Sequence, residues 1–167
     1  AEGYLHCVLG GHGSAVTWCR SLRPHDSTEG TEPEDVGVGT YPVFICASDG
    51  TLYLTLRGMG AERHQRGLDL SRKPPGGAWE PARRIIKLAE EHGQAYAGFH
   101  MQMDVAPDGA LHIIVDFYEG ENDFGRGLHQ AACYACSRDG GVSWHRADGS
   151  SVQLPARPED LDTLARN

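Results

Sequence analysis

Ser137-Arg138-Asp139-Gly140-Gly141-Val142-Ser143-Trp144 is the stretch that decides the fold, because it follows the pattern S-x-D-x-G-x-S-W. Each residue type in it suits a tight turn. The Asp139 carboxylate can accept backbone N–H bonds, and Gly141 tolerates backbone dihedrals that other residues avoid. Trp144 can pack beneath the turn as a large apolar support. The pattern predicts a turn between two antiparallel strands, with Trp144 buried.

An internal repeat extends outward from this turn. Glu2-Gly3, Asp49-Gly50 and Asp108-Gly109 each precede an apolar, β-branched or aromatic run, as a hairpin turn entering a strand does. The three glycines are 47 and then 59 residues apart. A weaker copy of the S-x-D-x-G-x-S-W turn runs from Ser71 to Trp79. Each repeat therefore reads as strand, acidic-Gly turn, strand, loop, strand, Asp-box turn, strand.

These repeats predict an all-β fold, an Asp-box (BNR) β-propeller of about three four-stranded antiparallel blades. We place the blades approximately at residues 1–30, 41–88 and 96–155, with a tail at 156–167. A closed propeller needs at least four blades, and three would leave two open sheet edges. We therefore expect a part of a larger propeller, whose partners are its remaining blades or, as the alternative, further copies of the chain.

Three stretches fall outside the simple repeat. Residues 23–39 are polar and rich in Asp, Glu, Gly and Pro, which predicts a long loop between blades. Residues 83–93 have helical spacing, but the apolar run at their start fits an outer strand equally well. Residues 158–167 are expected to form a short helix or a tail.

Composition excludes several classes of function. The net charge of −8 disfavours non-specific nucleic-acid binding, which needs a basic face. No apolar run approaches the length of a membrane span. Ala1-Glu2-Gly3 lacks the basic start and apolar stretch of a signal peptide, which carries little weight if the chain is a mature form. We predict no nucleic-acid partner and no membrane partner.

Five cysteines give no metal or disulfide framework. The odd number cannot close a set of disulfides. Cys133 and Cys136 have CxxC spacing, but in a strand positions three apart face opposite sides of the sheet. We interpret these two cysteines as small buried apolar residues and predict neither a metal site nor a cofactor.

The repeat also predicts which side chains share one face of the propeller. Tyr41 and His100 each lie nine residues before a turn glycine, and Arg57 and Asp116 each lie seven residues after one. Because neighbouring strands are antiparallel, these positions fall at the same end of each sheet. The same reasoning adds three further residues to that face: His12, Tyr96 and Tyr118.

This set of residues fits one kind of chemistry. Removing a proton next to a carboxylate needs a base, a proton donor for the leaving oxygen and a cation for the carboxylate. Tyr or His can serve as acid or base, and Arg binds a carboxylate through two parallel hydrogen bonds. Each residue also has a structural interpretation, since strand-end Tyr and His often only pack and strand-end Arg is often a surface charge. His6 and His112, at equivalent positions within strands, are interpreted as packing residues.

The ordered series of motifs resembles BNR-repeat propellers of the group that includes ulvan lyases and related polysaccharide lyases. The segments that carry the resemblance are Glu2–His6, Gly10–Gly13, Thr40–Pro42, Asp49–Leu52, Leu56–Gly58, Tyr96–His100, Asp108–His112 and the Asp-box. The resemblance implies that His12, Tyr41 and Arg57 are catalytic. Substrate would also contact Tyr96, His100, Asp116 and Tyr118.

The same resemblance implies β-elimination on a polysaccharide that contains uronic acid, by a secreted or periplasmic protein. The family pattern has a further His about twenty residues before His12, a position that would precede residue 1, so we expect the chain to be a fragment. A sialidase-like glycoside hydrolase is one alternative, but only Arg57 of its expected arginine cluster is present at the matching sites. A non-catalytic propeller that binds carbohydrate through Tyr41, Tyr96 and Tyr118 is the other.

Overall fold

The computed structural model describes residues 2–58, 67–87, 95–119 and 128–166, without the side chains of 95–100, 118, 119, 128 and 130. The first sheet contains β1 (His6–Gly10), β2 (His12–Arg20), β3 (Glu34–Cys46), β4 (Leu52–Gly58), β5 (Gly67–Lys73) and β6 (Arg83–Lys87). The second sheet contains β7 (Ala95–Val105), β8 (Leu111–Glu119), β9 (Leu128–Ser137), β10 (Trp144–His145), β11 (Ser151–Val152) and β12 (Asp162–Arg166). A 3-10 helix at Pro158–Asp160 precedes β12.

Both sheets are antiparallel, which confirms the all-β class. The first sheet has the order β1-β2-β3-β4-β5-β6, and the second has the order β11-β10-β9-β8-β7 with β12 also paired to β9. In the described residues, the only parallel pairing is an isolated bridge between Ile86 and Ala156. Neither of these sheets is closed. No helix in this part of the chain has the length and apolar character needed to cross a membrane.

The acidic-Gly turns behave alike, as the repeat predicted. φ is 85° at both Gly50 and Gly109, a conformation that favours glycine. In each turn the preceding aspartate accepts a hydrogen bond from the backbone N–H two residues later. The same arrangement recurs at Asp148-Gly149, which joins β10 to β11 and was not predicted. A shared turn chemistry therefore fixes where the strands reverse.

The first sheet folds back on itself within β3. Lys73 lies opposite Leu52, which lies opposite Cys46 at the end of β3. Yet the Lys73 ammonium lies 3.0 Å from the Glu34 carboxylate at the start of the same strand. A straight strand would hold Glu34 and Cys46 roughly 40 Å apart. β3 therefore reverses near Tyr41, where φ is 53° and the pairing with β4 shifts register.

The course of β3 explains why the first sheet is not divided into separate four-stranded blades. The start of β3 pairs with β2 and its end pairs with β4, so one continuous strand joins two repeats into a six-stranded sheet. The predicted blade count and the four-stranded blades are thus not confirmed. A small apolar cluster of Val16, Leu54 and Leu56 lies where the two parts of the sheet meet.

The main core lies between the two sheets. It joins β5 and β6 to β8, and its buried members include Leu68, Leu70, Ile85, Ile86, Leu111, Ile113 and Val115. Trp144 is only 1% exposed and belongs to this core, as the Asp-box predicted. Cys133 and Cys136 are buried too, consistent with their interpretation as apolar residues, whereas Cys7 and Cys46 are exposed.

Two expectations about local structure need correction. The predicted loop over 23–39 is wrong from Glu34 onward, because β3 begins at Glu34 and pairs with β2. The tail is also more ordered than expected, since β12 pairs with β9 after the 3-10 helix. For 83–93, the strand alternative is correct at Arg83–Lys87, and the residues after it lie outside the described part of the chain.

Candidate active site

The corner at Tyr41-Pro42 positions the first two candidate residues. Gly11 accepts a hydrogen bond at its carbonyl from the Tyr41 N–H at 3.0 Å. A Cβ on Gly11 would lie only 2.6 Å from Cδ of Pro42, so glycine is required for this close approach. His12 then lies opposite Thr40 across β2 and β3. The rings of His12 and Tyr41 meet edge to face, with their centroids 6.3 Å apart.

Arg57 completes the cluster from the neighbouring strand. It lies opposite Thr40 in the β3–β4 pairing, and its Nε donates a hydrogen bond of 2.8 Å to Thr40 Oγ1. The guanidinium carbon lies 4.8 Å from the centroid of the Tyr41 ring. Arg57 is 6% exposed, whereas Tyr41 is 38% exposed. A buried, oriented cation therefore lies against a tyrosine that solvent and ligands can reach.

The remaining candidates lie on β7 and β8. Asp116 is on β8, and its carboxylate forms a short hydrogen bond with Nδ1 of His129 on β9. The backbone of His100 falls in the register shift of β7 between Ala97 and Met101, as Tyr41 falls in that of β3. The side chains of Tyr96, His100 and Tyr118 lie outside the described residues. Whether they join the cluster stays a prediction.

Sequence reasoning missed two supporting residues. Thr40 fixes the Arg57 guanidinium, but counting back from the Asp49-Gly50 turn places Tyr41 opposite Arg57, and only the register shift between Thr40 and Val43 moves Thr40 into that position. His129 was missed for the same reason, since its contact with Asp116 depends on a register shift between β8 and β9. His6 and His112 stack on Trp18 and Tyr134 as predicted packing residues.

The Asp-box itself has a structural role. The Asp139 carboxylate accepts hydrogen bonds from the backbone N–H groups of Val142 and Ser143 and from the Ser143 hydroxyl, at 2.6–3.1 Å. Burial by itself would raise the pKa of Asp139, but these hydrogen bonds outweigh it and lower the pKa to about 2. The Trp144 indole N–H donates to the Gly141 carbonyl. All these hydrogen bonds join residues of the turn itself, so they stabilise the turn.

The cluster around Arg57 brings a cation, a phenol and an imidazole together. Within the described ranges, no three His, Cys, Asp or Glu side chains are grouped closely enough to hold a metal. The chain is acidic overall, but the Arg57 guanidinium supplies a local positive charge beside Tyr41. Arg, Tyr and His together can bind a carboxylate and exchange protons.

A profile of the BNR repeat-containing family matches residues 1–166, almost the entire sequence. The chain belongs to the BNR repeat-containing family. No curated protein matches it in sequence.

Two solved structures of longer proteins contain a region with the same fold as this chain. One is described as a new family of polysaccharide lyase, an ulvan lyase, and aligns with a TM-score of 0.76 at 18% identity. The other is the same kind of lyase bound to a saccharide of glucuronic acid and sulfated rhamnose, with a TM-score of 0.78 at 18% identity. Each alignment covers 99% of this chain and 43% of the lyase chain. At this identity the likeness shows the fold, and the BNR-repeat chain spans less than half of those proteins.

Proposed function

We propose that this chain forms part of a carbohydrate-active propeller that cleaves a uronic-acid polysaccharide by β-elimination. The observation that carries the proposal is the Arg57 guanidinium, held by Thr40 and placed 4.8 Å from the Tyr41 ring centroid. The fold of ulvan lyases, one of them bound to a saccharide that contains glucuronic acid, supports the choice of substrate class.

In this proposal Arg57 binds the uronate carboxylate. Its hydrogen bond to Thr40 fixes the plane of the guanidinium. The guanidinium is therefore already oriented to donate hydrogen bonds to a carboxylate. Neutralising the carboxylate makes the adjacent C–H more acidic, because the negative charge that forms on proton removal spreads onto the carboxylate oxygens. Burial of Arg57 strengthens this effect, since the local dielectric constant is low.

Tyr41 is the proposed acid or base, and His12 assists it. The base takes the proton next to the carboxylate, the electron pair forms a C=C bond, and the glycosidic C–O bond breaks with its electrons on the leaving oxygen. A proton donor then protonates that oxygen. Tyr41 is the more exposed partner of Arg57 and can reach a polymer from solvent, while His12 lies at its edge.

The test is the product. Ulvan and other uronate polysaccharides are incubated with the protein, and ultraviolet absorbance reports the new C=C bond. We expect absorbance to rise together with new chain ends. New chain ends without absorbance would indicate a hydrolase, and binding without cleavage would indicate a carbohydrate-binding propeller. Either result would overturn the elimination mechanism.

A further inference from the structure

Cys7 and Cys19 lie directly opposite each other on two neighbouring antiparallel strands. They pair across β1 and β2 in a ladder that has no register shift. Next along this ladder, the Ser21 N–H donates a hydrogen bond to the Leu5 carbonyl. Hydrogen-bonded pairs recur at every second position of an antiparallel ladder, so Cys7 and Cys19 also form such a pair, with Cα atoms roughly 5.5 Å apart. This separation lies in the range that is commonest in disulfides.

Both thiols project from the same face of the first sheet. Val16 and Trp18 of β2 are buried, and successive side chains of a strand alternate between the two faces. Cys19 therefore points away from that core, and Cys7 lies beside it on the neighbouring strand. Burial raises the pKa of the Cys19 thiol, and the neighbouring Cys7 thiol raises it further. The two thiols thus interact in the reduced protein.

Solvent reaches this face of the first sheet. Cys7 is exposed and Cys19 is half-buried. The residues that flank Cys7 on the same face are open too, with Leu5 46% and Leu9 56% exposed. A small dissolved oxidant can therefore reach the thiol of Cys7.

The other cysteines are not arranged in this way. Cys133 and Cys136 are buried, and each lies opposite residues other than cysteine. Cys46 is exposed but lies opposite Leu52 at the end of β3. Among the strand pairings that the structure describes, Cys7 and Cys19 are the only cysteines in register. The odd number of cysteines excludes a complete set of disulfides but leaves room for this one.

We propose that Cys7 and Cys19 are a reversible modification site, at which a small-molecule disulfide such as oxidised glutathione converts the two thiols into a cross-strand disulfide. The site is separate from the Arg57 cluster, and formation of the link does not depend on the proposed function.

The reaction is two successive thiol–disulfide exchanges. The Cys7 thiolate attacks one sulfur of oxidised glutathione, which forms a mixed disulfide and releases one glutathione thiolate. The Cys19 thiolate then attacks the Cys7 sulfur, which forms the Cys7–Cys19 bond and releases the second glutathione thiolate. The two protons lost by the protein thiols are taken up by the two released thiolates. Two protein thiols are oxidised and one glutathione disulfide is reduced.

The link would restrain the hairpin that joins β1 to β2. This hairpin contains the Gly10–Gly13 segment with His12, and its Gly11 carbonyl accepts the Tyr41 N–H. A disulfide removes conformations from the unfolded chain, so the oxidised protein should be more stable. Exposed disulfides are also the more readily reduced ones, so the link should open again in the presence of a reductant. Any effect on catalysis through His12 rests on the proposed function.

Incubation of the folded, reduced protein with oxidised glutathione tests this site. We expect the product to be lighter by two hydrogens, and peptide mass mapping to find Cys7 linked to Cys19. The Tm should rise by about 5 °C. Dithiothreitol should reverse both the mass change and the rise in Tm.

Three single variants serve as controls. In Cys19→Ser, glutathione should stay on Cys7 as a stable mixed disulfide, because the second exchange has lost its thiol. Cys7→Ser should form no link and show no rise in Tm. Cys46→Ser is the matched control, because Cys46 is also exposed but lies opposite Leu52. This variant should form the link and show the full rise in Tm.

Four results would overturn the proposal. These are no reaction at Cys7 in the folded wild type, glutathione that persists on Cys7 there, a link from Cys7 to Cys46, or a Cys7–Cys19 link that forms only in denaturant. The last result would show that the two thiols meet in the flexible chain and not through the pairing of β1 with β2. A reversible Cys7–Cys19 link in a protein that cleaves no uronate polymer would contradict the proposed function alone.

Discussion

The guanidinium carbon of Arg57, on β4, lies 4.8 Å from the centre of the Tyr41 ring, on β3. The tyrosine is 38% exposed, whereas the arginine is only 6% exposed. The contact depends on the reversal of β3 at Tyr41 and on the hydrogen bond from Arg57 to Thr40. A cation in this position is placed to attract the carboxylate of a bound ligand.

Tyr41→Phe is the most direct test of the proposed chemistry. The ring and its contact with Arg57 remain, so substrate binding should change by less than about twofold, while loss of the hydroxyl should lower kcat by about 100-fold or more. Turnover is followed by the absorbance of the C=C product. Substrate binding is followed by calorimetric titration of the protein with the polysaccharide. Wild-type kcat in this variant would exclude Tyr41 as acid or base.

Arg57→Lys keeps the positive charge and removes the planar guanidinium. The hydrogen bond to Thr40 and the paired donors to a carboxylate are both lost, so we expect kcat/KM to fall about 100-fold. Thr40→Val should give a smaller fall, since it leaves the guanidinium in place but unfixed. Arg83→Lys, at an exposed arginine on β6, serves as the control. Equal losses in Arg57→Lys and in the control would point to a general effect on stability.

Asp139 should make stability depend on pH at the acidic end. Its pKa is lowered from 3.8 to about 2 in the folded chain, so its contribution is complete above about pH 4 and is lost as the pH falls towards 2. Because the carboxylate is largely exposed, the contribution should not exceed about 1 kcal/mol. Denaturant unfolding of wild type and Asp139→Asn between these pH values measures it. A difference that does not shrink with falling pH would contradict this assignment.

Thiol labelling tests the fold without any ligand. Cys7 and Cys46 are exposed, whereas Cys133 is buried and its pKa is raised chiefly by that burial. We expect an alkylating reagent at neutral pH to modify Cys7 and Cys46 at least about tenfold faster than Cys133. Peptide mass mapping over time gives the rates, and denaturant should equalise them. Rapid labelling of Cys133 in the folded protein would mean that the core between the two sheets is wrongly assigned.

The features of this protein that depend on residues close in the chain could be predicted from its sequence. The aspartates and glycines of the turns satisfy nearby backbone groups, and the strands between them alternate with period two, so turns, strand class and the burial of Trp144 follow from residues close in the chain. The likeness of the repeats also placed His12, Tyr41 and Arg57 at one end of the strands. Each of these inferences needs only spacing and turn type.

Only the tertiary structure decided how the repeats join and which side chains support the site. The reversal of β3 depends on a positive φ at Tyr41 and on packing of Pro42 against Gly11, which is distant in sequence. The bond between Asp116 and His129 depends on a register shift, and the ion pair between Lys73 and Glu34 depends on the reversal of β3. Such features are set by long-range contacts whose energies compete, and a one-residue change of register would move every side chain to the other face of the sheet.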